Sequence, residues 1–148
     1  MATPERAPEH SLDLMRWIVW AQRKGAEEWL RERELSPEQA FVLGYLAQNP
    51  GAIQRDIAQV SRTSAASVSS LLKGLERRGL VERRTESGDD RSKRVYATPQ
   101  AEALTAGFDS AMHTVQDSVL APLTPAERAT LHALLTKITA GLPQAPHA

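Results

Sequence analysis

The stretch that decides the fold is Ser64–Thr98, SAASVSSLLKGLERRGLVERRTESGDDRSKRVYAT. Val68, Leu71, Leu72 and Leu75 recur at i, i+3, i+4 and i+7, which is one face of an α-helix. The spacing predicts a helix over Ser64–Arg78, with Gly79 as its stop. The period then changes. Leu80–Thr85 and Lys93–Ala97 are short β-capable segments, and Glu86-Ser87-Gly88-Asp89-Asp90-Arg91-Ser92 between them is rich in turn formers. Two such segments around turn residues read as a hairpin with a long loop.

Outward from this stretch, helix signals dominate. Ser36-Pro37, Thr98-Pro99 and Thr124-Pro125 each open an apolar-periodic run. The hydroxyl caps free amides of the first turn, and proline at the first helical position gives up no hydrogen bond. Ser36 with Gln39, and Thr124 with Glu127, also have the spacing of a capping box. Helices are predicted at Glu9–Arg33, Pro37–Gln48, Ile53–Val60, Pro99–Leu120 and Pro125–Gly141, with Asn49-Pro50-Gly51 ending the second. The order is α-α-α-α-β-β-α-α, mainly α with one small β-hairpin. The first helix carries two apolar stripes, Leu12, Met15, Val19, Ala26, Leu30 and Leu14, Trp17, Ile18, Ala21. A surface helix needs one, so this helix is expected to touch two bodies.

Three short helices followed by a hairpin is the layout of a winged helix-turn-helix, whose third helix enters the DNA major groove. Opposite the apolar face of Ser64–Arg78 lie Ala66, Ser69, Ser70, Lys73 and Arg77, with no acidic and no large apolar group. Serine pairs with several bases, alanine meets a thymine methyl, and the two cations suit phosphates. Arg62, Ser64 and Ser67 at the entry of the helix, and Arg84, Arg91 and Lys93 in the hairpin, complete the candidate DNA-binding set. Gly88 permits a tight turn exposing Arg91, an arginine suited to a narrow minor groove, while Asp89 and Asp90 are expected to pair with neighbouring arginines.

The charge distribution agrees. The 148 residues hold 18 basic and 18 acidic side chains, a net of zero. Residues 51–97 nevertheless carry ten basic against six acidic groups, a net of +4, and the rest of the chain balances it at −4. Segregation of this kind orients a modest basic face toward a polyanion.

Leu35-Ser36-Pro37-Glu38-Gln39-Ala40-Phe41-Val42-Leu43, Ile57-Ala58, Leu75-Glu76-Arg77-Arg78-Gly79-Leu80-Val81-Glu82-Arg83, Asp89-Asp90-Arg91 and Val95-Tyr96-Ala97-Thr98 stand in the order and spacing of the MarR family of bacterial transcription regulators. The chain resembles that family over about residues 35–101. It departs at Ala97 and Ala101, where the family usually has leucine and glycine. The resemblance implies a winged helix over residues 35–98 and a helical dimerisation region over 9–34 and 99–141, with flexible ends at 1–8 and 142–148. It implies a homodimer on double-stranded DNA at a pseudo-palindromic operator, usually as a repressor released by a small ligand. Leu12, Met15, Val19, Leu123, Leu131, Leu134, Leu135 and Ile138 are the candidate dimer residues. Family members often bind aromatic or phenolic ligands between the two regions. Arg16, Trp17 and Trp20 are candidates for such a site, with core and dimer packing as their competing role.

Other classes find little support. Zero cysteine excludes disulfides, thiolate metal sites and thiol redox sensing. His10, His113, His132 and His147 have no metal-ligand spacing, so no metal and no cofactor is expected. No nucleophile elbow or glycine-rich phosphate loop is present, so no enzyme is expected. The polar start MATPERAPEH and the lack of a long apolar run predict a cytoplasmic protein with no membrane partner. The competing function is a helical dimer that binds small molecules or proteins without useful DNA affinity.

Overall fold

The computed structural model describes residues 10–85 and 93–143. The elements run α1 (Ser11–Arg31), α2 (Pro37–Gln48), β1 (Ala52–Ile53), α3 (Gln54–Ser61), α4 (Ala65–Arg77), β2 (Val81–Thr85), β3 (Lys93–Ala97), α5 (Pro99–Thr105), α6 (Phe108–Leu120) and α7 (Pro125–Thr139). The mainly α class with a wing hairpin is as expected. The capping boxes at Ser36 and Thr124 are both formed, and Thr98 caps α5.

Two features depart from the expected order. First, Ala52–Ile53 forms a strand that pairs antiparallel with β3, Ala52 opposite Val95 and Ile53 opposite Arg94. The sheet therefore has three strands in the order β1-β3-β2. Two residues are too short to show a period, and Ile53 fits a helical pattern equally well. Second, the single helix expected over Pro99–Leu120 breaks at Ala106-Gly107. Ala106 is extended, and Gly107 takes a left-handed φ of 84°.

One core holds the winged region together. Val42, Leu43 and Leu46 of α2, Ile57 of α3, and Val68, Leu72 and Leu75 of α4 are buried with Val81 and Val95 of the sheet. Leu30 at the end of α1 and Ala101 of α5 join the same cluster. Ala101, a departure from the family pattern, is thus core, and its amide donates to Thr98 Oγ1 at 3.3 Å. Leu71 is only half-buried, so the apolar face of α4 is narrower than its spacing predicts.

The helix ends share a device. At the end of α3, Thr63 N–H donates to Ala58 O and Arg62 N–H to Gln59 O. At the end of α4, Leu80 donates to Leu75 and Gly79 to Glu76; at the end of α1, Leu35 donates to Leu30 and Glu34 to Arg31. This is the Schellman pattern, which places one residue in the left-handed region. Gly79 (φ 71°) fits it without strain, whereas Glu34 (φ 54°) and Arg62 (φ 51°) carry side chains there.

Helix α1 packs along α6, and this joins the first helix to the C-terminal ones. Trp29 meets Phe108 edge-on, with ring centroids 5.1 Å apart.

Candidate nucleic-acid interface

Helix α4 begins at Ser64, whose hydroxyl accepts from Ser67 N–H at 3.1 Å and donates to Ser67 Oγ at 2.9 Å. These two serines are exposed, but the Ser64 hydroxyl serves the cap. Ser67 accepts at its oxygen and keeps a proton to donate. Ala66, Ser70, Lys73 and Arg77 are exposed along the same helix, and Ser69 is half-buried at its edge. Arg62 is exposed in the turn that enters it.

The acid on this helix is drawn aside. Glu76 forms an ion pair with Arg83 Nε of β2 at 3.6 Å, longer than a hydrogen bond. Arg83 is mostly covered, so this arginine packs the wing against α4 and does not join the basic surface. Its neighbour Arg84 is exposed, pairs with Glu82 and stacks its guanidinium 4.4 Å from the Tyr96 ring. A cation held over an aromatic face is positioned as well as charged. Lys93 is exposed at the start of β3. Arg94 donates to Gly51 O at 3.1 Å, tying β3 to the turn before β1. Gly88, Asp89, Asp90 and Arg91, and the pairings expected of them, lie outside the described residues.

Sequence reasoning missed Gln54. This first residue of α3 donates its side-chain amide to Ala65 O at 3.2 Å, linking the two helices of the helix-turn-helix at their N-termini. The partners are eleven positions apart and share no pattern, so no local signal marks the pair.

The candidate dimer residues form a second surface. Leu12, Val19, Leu134, Leu135 and Ile138 are exposed in the single chain; Met15, Leu123 and Leu131 are half-buried. Trp17 and Trp20 are each 55% exposed on α1. Arg16 is held by Asp13 at 2.8 Å and lines a shallow cleft with Leu12, Met15 and Val19. The two tryptophans are not in that lining, so Arg16, Trp17 and Trp20 are not gathered into one pocket. A larger cavity of about 530 Å3 lies instead between α2 and the α3–α4 turn, lined by Phe41, Val60, Arg62, Ser67 and Leu71 among others. Its lining comes from three helices, and the sequence reading did not identify it.

Among the described residues, no helix is long and apolar enough to cross a membrane. The family model that matches residues 34–92 is described as MarR family. A putative transcriptional regulatory protein for the hcr operon of Thauera aromatica is 28% identical over 132 residues, covering 89% of this chain and 80% of that protein. MepR, a transcription regulator of the Staphylococcus aureus multidrug efflux pump MepA, has a TM-score of 0.82 at 29% identity, over 90% of this chain and 99% of its own. A MepR–DNA complex matches with a TM-score of 0.73 at 30% identity, over 88% and 98%. The structure of a putative MarR family transcriptional regulator from Clostridium acetobutylicum is 33% identical, with a TM-score of 0.73 over 87% and 95%. With nearly the whole of such a regulator matched at 33% identity, and the family model matching residues 34–92, the chain belongs to the MarR family of transcriptional regulators.

Proposed function

We propose that this chain is a homodimeric transcriptional regulator that binds duplex DNA, with α4 in the major groove and the β2–β3 wing along the backbone. The observation that carries the reading is the exposed side of α4. It offers Ala66, Ser67 and Ser70 with Lys73 and Arg77, and its one acid, Glu76, is paired with Arg83. Small hydroxylic groups allow close approach to base edges, and the two cations one and two turns on reach phosphates. The MepR–DNA complex supports the same assignment by similarity.

The exposed apolar side chains of α1 and α7 support the dimer. Leu12 and Val19 on α1, and Leu134 and Ile138 on α7, are large apolar side chains left exposed in the single chain, and burying them against a partner is favourable. In a two-fold dimer built on these helices, the two α4 helices would read half-sites about one helical turn apart. In this reading the protein represses, and a small apolar ligand releases it. The cavity between α2 and the α3–α4 turn, about 530 Å3, is the size of such a ligand's site.

The test is binding to a duplex carrying the DNA upstream of the protein's own coding sequence, across a salt series. Affinity is expected to fall steeply with log salt through counterion release, and Lys73→Ala or Arg77→Ala each to lower the slope by about one. No shift at low salt would favour the helical ligand- or protein-binding dimer instead.

A further inference from the structure

We infer that Arg78, at the C-terminal cap of α4, is a positioning residue that fixes the angle of the recognition helix against the body of the protein, and so sets the half-site spacing the dimer accepts. The inference rests on the DNA-binding reading above. It concerns a residue on the far end of α4 from the serine-rich face.

The Arg78 guanidinium donates from Nη1 to Glu34 O at 2.6 Å and from Nη2 to Arg33 O at 3.1 Å. Both acceptors belong to the turn that carries the chain from α1 into α2. That turn is a strained one, with Glu34 in the left-handed region, and its carbonyls lie beyond the α1 ladder. A planar fork matches two adjacent carbonyls as a single ammonium does not. From the turn the contacts continue inward. The Arg33 guanidinium lies 3.4 Å from the Trp29 ring centroid and donates to Trp29 O at 3.0 Å. Trp29 in turn packs edge-on against Phe108 at the start of α6. The C-terminus of α4 is thus fastened, through 44 and 45 residues of sequence separation, to the α1–α6 pair.

The direction of α4 relative to that pair decides where a second copy's α4 falls along the duplex. Two recognition helices read half-sites about 34–36 Å apart, so a small swing of either shifts the match by a base pair. Arg78 holds that swing without touching the reading face.

The experiment selects a bound site from a random-sequence duplex pool with the wild-type chain, then titrates duplexes whose centre gains or loses one base pair. The wild type is expected to lose about tenfold in affinity for either change, and Arg78→Ala no more than about threefold. The salt slope of Arg78→Ala should match the wild type, because the residue makes no phosphate contact in this role. A uniform loss at every spacing, or an unchanged tenfold penalty, overturns the inference. So does a slope reduced by about one, which would make Arg78 a phosphate ligand. If Arg78→Ala does not fold, Arg78→Lys decides. One point donor in place of a fork should give an intermediate spacing penalty, and a wild-type penalty in that variant overturns the role of the fork. A wild-type chain that selects no duplex defeats the DNA-binding reading itself, and this inference with it.

Discussion

Gly25 of α1 lies so close to Val115 of α6 that a Cβ built on it would stand 2.8 and 2.9 Å from the two valine methyls. The two helices cross here with backbone against side chain. Gly25→Ala gains about 1 kcal/mol of helix propensity but overpacks a contact that costs about 1–3 kcal/mol. A net loss of about 1 kcal/mol is expected in urea unfolding at matched protein concentration. Adding Val115→Ala should remove the clash, so that the double variant is more stable than the sum of the two single changes predicts.

Arg62 sits where glycine is usual. A left-handed residue with a side chain is strained by about 1–2 kcal/mol, and glycine returns part of that relief through a freer unfolded chain. Arg62→Gly should raise stability by less than about 1 kcal/mol while weakening DNA binding. Thermal unfolding and a duplex titration read the two effects separately. A variant that is more stable and binds equally well would remove Arg62 from the interface.

Gln54→Glu keeps the size of the side chain but cannot donate to Ala65 O. It should therefore behave like Gln54→Ala. Each is expected to cost about 1 kcal/mol of stability, and to reduce preference for the selected site over random duplex. If Gln54→Glu behaves as wild type, the hydrogen bond does not register α4.

The α7 capping box carries a pH dependence. The Thr124 backbone N–H donates to Glu127 Oε2 at 2.8 Å, and this bond, with the Thr124 hydroxyl contact, holds the Glu127 carboxyl below its ordinary value. Folding favours the ionised form. Its contribution is present above the unfolded value and is lost as pH falls through the folded one. The stability difference between wild type and Glu127→Gln should therefore shrink on acidification from neutral pH to about pH 3. Unfolding curves at the two pH values check this; a constant difference would contradict it.

Local chemistry explains what the sequence made legible. The caps at Ser36, Thr98 and Thr124 and the stop at Gly79 lie within three or four residues of the groups they serve. Lys73 and Arg77 of α4 were placed by a helical period that one buried face pins down. What failed was non-local or too short. Ala52–Ile53 becomes a strand because Val95 and Arg94 present an edge to it, 43 and 41 residues on. The Ala106-Gly107 break hid inside Leu104, Phe108, Met112, Val115 and Val119, a period that runs straight through it. Glu34 and Arg62 took left-handed turns that only glycine would have announced. The expected ligand residues show the same limit of local reading. Arg16, Trp17 and Trp20 are neighbours on one helix, and within the single chain only Arg16 lines a cleft.

The separation of faces on α4 bears on how such a protein changes its target. Val68, Leu72 and Leu75, with half-buried Leu71 beside them, anchor the helix in the core, while Ala66 and Ser70 are exposed on its other side. If α4 reads bases as proposed, a single codon change at Ala66 or Ser70 could install a longer side chain there and leave the fold's energy nearly untouched. On that reading the face is a blank keyway, recut one tooth at a time, and a change of target need never pass through an unfolded intermediate.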